Sequence, residues 1–217
     1  NRFRKKGTNM QVASIVVGMV QTNCYFLISR ERNTAVIDPG AQYRDIVRFL
    51  QENGLTPRMI LLTHGHFDHI GGVNGLRETY PDLPVYIGAE DAEMLTDPRK
   101  SCASMMGGPG YRVEKFETLR EGGVLTLDEL TIQMYATPGH SKGSLTYQAG
   151  DCLFTGDALF AGDIGRTDLY AGDYDTLIQS VKKLYRLPGD YRVLPGHGPQ
   201  STLERERRTN YYVRAEE

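Results

Sequence analysis

Apolar runs of strand length recur along this chain, separated by clusters of turn residues. "ASIVVG", "CYFLIS" and "TAVID" read as three successive strands, with "SRERN" as the second turn and "DPG" at 38–40 closing the third. The period then changes to helical in "QYRDIVRFLQENG", where Ile46, Val47, Phe49 and Leu50 share a face and Gly54 is the stop. "RMILLT" is a buried strand that delivers Thr63 and, directly after it, the segment "HGHFDHIGG". "IGGVNGLRETY" reads as helix despite its glycines, "LPVYIG" as strand and "AEDAEMLTD" as a short helix. Residues 97–112, "DPRKSCASMMGGPGYR", have no sustained period and read as a long loop, either a lid or a surface insertion. Met105 and Met106 within it suit contact with a substrate or packing beneath the loop.

The second half repeats the style. "GVLTLDELTIQMYATPGH" reads as a hairpin ending at His140, and "SLTYQAGDCLFTGD" as another ending at Asp157. "DYDTLIQSVKKLYRL" is an amphipathic helix with Leu177, Ile178, Val181, Leu184 and Tyr185 on one face. "YRVLPGHG" is a strand ending at His197, and a last helix starts near Ser201. No Pro/Ser-rich linker divides the halves, so the pattern predicts an α/β protein with one domain over residues 10–217, made of two sheet-plus-helix halves. Residues 1–9 are expected to be an N-terminal extension or tail, with Met10 as the natural start.

Composition narrows the function classes. The 217 residues include 24 glycines, a share above the roughly 7% usual in proteins, which suits a loop-rich fold better than a helical bundle. The net charge of −2, from 25 basic and 27 acidic residues, comes with no basic stripe that would track a phosphate backbone. "ERERR" at 204–208 reads as the solvated face of a helix and "RFRKK" as a tail, so no nucleic-acid partner is expected. "VASIVVGMV" follows basic residues as a signal peptide would. It is short, contains Ser14 and Gly18, and lacks a small-residue cleavage site, so it reads as a buried strand with no membrane role. Cys24, Cys102 and Cys152 are odd in number and lack metal-ligand spacing, which fits a reducing cytoplasm.

The candidate chemistry lies with the histidines. The chain has only five, at 64, 66, 69, 140 and 197, and each falls at or just beyond the C-terminal end of a predicted strand. His64 and His66 are two apart, so in an extended segment they point to one side and can grip one metal. The chain then curls, and Asp68 and His69 take a different bearing, with Asp68 placed to cap the next helix and to offer an oxygen to a second metal. Five histidines and two aspartates, Asp68 and Asp157, without cysteine, suit two divalent ions: zinc first, iron or manganese as alternatives. Two such ions sharing a carboxylate can hold a water and lower its pKa to about 7.

The pattern H-x-H-x-D-H at 64–69, followed by His140, Asp157 and His197, resembles the metallo-β-lactamase superfamily over roughly residues 11–203. The resemblance implies a four-layer αββα sandwich with metals along one edge. It implies that His64, His66 and His140 hold the first metal, that Asp68, His69 and His197 hold the second, and that Asp157 bridges. Asp38, in "VIDPG", matches a family position behind the metal loop that orients a ligand. "TPGHSKGS", "FTGDALFAGDIGRTD" and "PGHGPQST" are similar to the short glyoxalase II-like, or hydroxyacylglutathione hydrolase-like, group.

The implied activity is hydrolysis of a small-molecule acyl thioester, with the activated water attacking the carbonyl and Asp68 as the catalytic carboxylate that accepts its proton. Arg166 in "GRTD" is the candidate partner for a substrate carboxylate, with a surface salt bridge as the alternative role. Only twenty residues follow His197, so the helical region that helps full-length glyoxalase II hold glutathione is not expected here. An aspartate at position 157, where many true β-lactamases carry a cysteine or lack a bridging ligand, argues against antibiotic hydrolysis. Rival readings are an iron persulfide dioxygenase using His64, His140 and Asp157, a lactone or phosphodiester hydrolase, and a non-catalytic metal-binding module.

Overall fold

The computed structural model describes residues 10–106 and 111–214, and the proposed tail at 1–9 lies outside them. Two six-stranded sheets dominate. The first follows chain order: β1 (Gln11–Val17), β2 (Thr22–Ile28), β3 (Asn33–Ile37), β4 (Thr56–Leu61), β5 (Val85–Gly88) and β6 (Glu117–Leu119). Its first three strands are antiparallel, and β3 to β6 run parallel. The second sheet contains β7 (Val124–Leu127), β8 (Leu130–Ala136), β9 (Leu145–Ala149), β10 (Cys152–Gly156), β13 (Arg192–Pro195) and β14 (Ser201–Thr202). Its spatial order is β14-β13-β10-β9-β8-β7, and only β10 and β13 pair in parallel. A small ribbon of β11 (Leu159–Phe160) and β12 (Asp163–Ile164) follows β10.

Strand β2 shows how the layers arise. All seven of its residues are buried, because each face meets a different partner. Tyr25 and Leu27 join Ile37 and Leu61 against Tyr147, Phe154 and Leu194 of the second sheet. Cys24, Phe26 and Ile28 face the other way, toward Ile46 and Leu50 of α1 (Tyr43–Glu52) and Val73 and Leu76 of α3 (Val73–Thr79). On the far side of the second sheet, Leu153 and Val193 pack on Leu177, Val181 and Leu184 of α5 (Tyr174–Tyr185) and on Leu203 of α6 (Leu203–Thr209). The result is helix, sheet, sheet, helix: the four-layer αββα sandwich the resemblance implied. Asp173 starts α5 by accepting the Thr176 N–H at 2.7 Å, and Thr202 caps α6 in the same way at 3.2 Å.

Several local expectations need correction. "IGGVNGLRETY" is not one helix: a single turn, α2 (Phe67–Ile70), ends at the glycine pair before α3 begins. Asp68 does not cap α2. His66 occupies the cap position, and Asp68 lies within the turn with its carboxylate turned into the histidine cluster. The short helix at 89–97 divides into a 3₁₀ turn, Ala89–Asp91, and α4 (Ala92–Thr96). "ERERR" is not wholly solvated either. Glu206 is fully buried, where it accepts from Ser201 Oγ, from the Gly162 N–H at 2.8 Å and from Asn210 Nδ2 at 2.9 Å.

In the 97–112 segment, Ser101, Cys102 and Ala103 are buried, and the Ser101 carbonyl accepts the Phe67 N–H at 2.9 Å. This part is docked onto the histidine loop, while Met105 points to solvent and does not pack beneath. No described helix is long and apolar enough to cross a membrane. Cys24, Cys102 and Cys152 form no disulfide with one another.

Candidate metal centre

Parallel strands put their C-terminal ends on one edge of a sheet, and loops there are the usual place for chemistry. Here β3 ends at Asp38, β4 delivers Thr63 and His64, β10 delivers Asp157, and β13 delivers His197, while the loop after β8 carries His140. All seven residues proposed as ligands converge at that edge. They form three overlapping sets whose donor atoms lie within 4.8 Å of one another: His64, His66 and His140; His64, His69 and Asp157; Asp68, His69 and His197.

The outer atoms of these side chains are fixed by the scaffold. His140 Nδ1 donates to the Arg166 carbonyl at 2.7 Å, and His197 Nδ1 donates to the Val20 carbonyl at 3.0 Å. Asp38 accepts from the Thr63 N–H at 2.8 Å, from Thr63 Oγ1 at 2.7 Å and from His69 Nδ1 at 2.9 Å. Asp38 holds φ 51°, a left-handed conformation that Asp tolerates better than most residues, and this aims its carboxylate behind the loop. With the Thr63 hydroxyl proton directed to Asp38, His64 Nδ1 is left to donate to Thr63 Oγ1, 3.1 Å away. Each of these four rings therefore turns Nε2 inward, its lone pair available once any proton there is displaced.

Those inward atoms crowd one another. His140 Nε2 lies 3.2 Å from His64 Nε2 and 2.9 Å from His66 Nδ1, and His69 Nε2 lies 3.4 Å from His197 Nε2. Lone pair facing lone pair at such distances is repulsive unless a proton or a metal cation lies between. Asp157 sits in the middle, with Oδ1 3.3 Å from His69 Nε2 and Oδ2 3.4 and 3.5 Å from His197 and His140 Nε2. Its Oδ1, like His66 Nε2, is buried without a hydrogen-bond partner. Buried polar atoms are rarely left so. The donor set, its tautomers and its orphaned oxygen all fit a pair of divalent ions.

Electrostatics divides the cluster. Burial, reinforced by neighbouring imidazoles, pushes His64 well below the usual histidine range and His66 down to about 3. Burial acts on His69 in the same direction, yet Asp68, Asp157 and Asp38 together raise it well above that range. His197 is likewise lifted against burial, to about 10, by hydrogen bonds with Asp157 and Asp68. Burial opposes ionisation of Asp68 and Asp157, but the histidines around them hold both well below the usual carboxylate range.

Two cavities adjoin the cluster and share Val20, Phe67 and Asp68. One, of about 390 Å³, reaches His66, His140, Asp157 and His197 and is bordered by Cys102, Phe160, Arg166 and Leu169. The other, about 460 Å³, lies between the β1–β2 turn, with Met19 and Val20, and Phe67 and Tyr111. Arg166 is the only arginine or lysine on either wall among the described residues, and its guanidinium forms a two-pronged bond to Asp168 at 2.7 Å.

The Lactamase_B model, described as the metallo-beta-lactamase superfamily, matches residues 17–197. The chain belongs to that superfamily. It is 40% identical to the probable metallo-hydrolase YqgX of Bacillus subtilis, over 91% of this chain and 94% of that one. It is 34% identical to the hydroxyacylglutathione hydrolase GloC of Haemophilus influenzae, over 94% and 98%. Among solved structures, the BLEG-1 B3 metallo-beta-lactamase superposes with a TM-score of 0.85 at 36% identity, over 93% and 99% of the two chains. A di-iron-bound form of TTHA1623 superposes with 0.83 at 36%, over 93% and 100%.

Sequence reasoning missed three contributors to the site. Two are backbone carbonyls, of Val20 and Arg166, which no side-chain pattern announces. The third is Asp91, which reads as one more acid on an amphipathic helix but is fully buried beside the histidine loops. Its place just after a buried strand, like Asp38 and Asp157, was the available signal.

Proposed function

We propose that this chain is a dinuclear metal-dependent hydrolase that cleaves acyl thioesters of the hydroxyacylglutathione kind. The observation that carries the reading is Asp157, a buried carboxylate with an orphaned oxygen set between two groups of inward-facing donors. His64 Nε2, His66 Nδ1 and His140 Nε2 would hold one ion. Asp68 Oδ2, His69 Nε2 and His197 Nε2 would hold the other, with Asp157 between them. When bound, such a pair supplies an activated water and a Lewis-acidic partner for the carbonyl oxygen. Zinc is the first candidate; the di-iron form of TTHA1623 supports iron as the alternative.

The chain's own part is to orient and to move one proton. Asp68 accepts from Thr22 Oγ1 at 3.2 Å and borders both cavities, so its carboxylate is placed to receive the proton of the attacking water. The C–S bond then breaks, giving a carboxylate and a thiol. A thiolate, with a free pKa of about 8.5, leaves without a separate general acid. The wall formed by Met19, Val20, Phe67 and Tyr111 suits an apolar arm of the substrate. Arg166 is the candidate contact for a substrate carboxylate, at the cost of its bond to Asp168. The substrate is a soluble small molecule met in the cytoplasm, without nucleic-acid or membrane partners.

A second reading, β-lactam hydrolysis, draws support from the likeness to BLEG-1. The test is turnover of S-lactoylglutathione, an apolar acyl thioester and a chromogenic cephalosporin by zinc- and iron-reconstituted protein, with Asp157→Ala alongside. Thioester turnover that disappears in the variant is expected. Turnover of the cephalosporin alone would replace the thioesterase reading with the second one.

A further inference from the structure

We infer that Asp91 is a positioning residue for the first metal position, holding the His64–His66 loop and the His140 loop at one separation. The 3₁₀ turn after β5 inserts Asp91 between these two loops, which come from different sheets. Asp91 Oδ2 accepts the Gly65 N–H at 3.1 Å and the Ser141 hydroxyl at 2.6 Å, and Oδ1 accepts the Gly143 N–H at 2.6 Å. Gly65 is the residue between His64 and His66, and Ser141 follows His140 directly. One carboxylate thus ties together the backbone that carries all three imidazoles of the first set.

The fit is close on both sides. A Cβ at Gly65 would lie 2.6 Å from Met94 Cβ, and one at Gly143 would lie 2.3 Å from the Asp91 nitrogen. Neither loop can therefore shift toward this segment. Because the Asp91 carboxylate takes the Ser141 proton, Ser144 Oγ, 2.6 Å from Ser141 Oγ, donates to that hydroxyl and extends the network. Asp91 borders neither cavity, so it touches no substrate and acts through the loops alone. Its contacts are with residues 65, 141 and 143; the second set leans instead on Asp38 and the Val20 carbonyl.

The inference rests on the dinuclear part of the proposed function and not on the substrate. Competition titration of zinc on the full chain tests that part first. Fewer than two bound equivalents in the wild type would overturn it and this inference with it. Asp91→Asn keeps the volume but replaces one acceptor oxygen by an NH₂, which must face either Gly65 and Ser141 or Gly143, all donors. Groups that orient metal ligands typically contribute 10–100-fold in affinity.

In a His197→Ala background, where the first position stands alone, Asp91→Asn is expected to weaken zinc by roughly that 10–100-fold factor. In a His66→Ala background, where the second position stands alone, it is expected to leave affinity unchanged. Equal weakening in both backgrounds, which general bracing of the fold would produce, overturns the inference, as does no weakening in either. Should Asp91→Asn not fold, Ser141→Ala removes one of the three bonds and is read in the same two backgrounds. A smaller loss confined to the first supports the inference, and a loss shared by both or absent from both overturns it.

Discussion

His64, His66 and His140 offer three imidazoles in a fully buried corner, whereas Asp68, His69 and His197 set a carboxylate beside two imidazoles on the half-open side of the same cluster. In the first set, burial holds His64 and His66 neutral, ready to donate lone pairs. In the second, carboxylates keep His69 and His197 prone to protonation, so an ion arriving there has protons to displace. The first position is built to hold; both border the 390 Å³ cavity, and only the second, through Asp68, also borders the 460 Å³ one. Sharing a ligand does not make two positions alike; burial and the sign of the neighbours set their chemistry.

The strongest way to break this contrast is to remove what the positions share. Asp157→Ala should weaken both zinc equivalents and lower thioester turnover by at least about 100-fold, since a ligand is worth more than the groups that orient ligands. Full metal content at an undiminished rate would sink the bridging role. Next in size is Asp38→Ala, which leaves His69 Nδ1 and the two Thr63 donors unpaired. It should weaken the second position, which it touches through His69, by roughly 10–100-fold, weaken the first, which it reaches only through Thr63 and His64, by less, and cost about 1–3 kcal/mol of stability per donor left unsatisfied. Zinc titration and urea unfolding check the two halves of this expectation, and an equal loss at both positions would contradict it.

Metal removal sharpens the same point through stability. Saturation at about 1,000 times the Kd stabilises a fold by roughly 4 kcal/mol, so chelation should lower Tm by several degrees. In a His66→Ala variant the drop on chelation should be smaller than in the wild type, and an equal drop would mean the buried corner contributes nothing. Arg166→Ala is the mildest change. Its guanidinium is exposed and paired to Asp168, so Tm should not move measurably. A rise in KM for S-lactoylglutathione with kcat unchanged would mark a substrate contact, whereas unchanged kinetics would leave the salt bridge as its whole role.

Much of this was legible in the sequence. The strands that bury both faces, such as β2, read clearly because of an unbroken apolar run, Cys24 to Ile28, and α5 read clearly because its apolar residues repeat at helical spacing. The seven converging side chains were legible because scarce histidines fall only at strand ends. Strand β6 was not: its three residues are largely exposed, carry no alternation, and become a strand only by pairing with β5. Asp68 as a helix cap failed because the one-turn helix here is capped two residues earlier, at His66, which leaves Asp68 inside the turn. Glu206 and Asp91 failed for one shared reason. Each is an acid on a helical or turn segment that accepts from the backbone of a distant loop, Gly162 for Glu206 and Gly65 and Gly143 for Asp91, which local sequence does not announce.

The anchoring of His197 has a consequence for the order of events during synthesis. Its loop is held by β2, through the Asn23 N–H to the Gly196 carbonyl at 2.7 Å, Asn23 Nδ2 to the carbonyls of Pro195 and Gly198, and Tyr25 Oη to Pro195. These partners lie some 170 residues apart in the chain. Contacts of such sequence separation form late. A growing chain that has already made its first sheet carries His64, His66, Asp68 and His69 with neither Asp157 nor His197 beside them. Such a chain would bind metal in the wrong geometry or not at all, and correct loading has to wait until β13 pairs with β10.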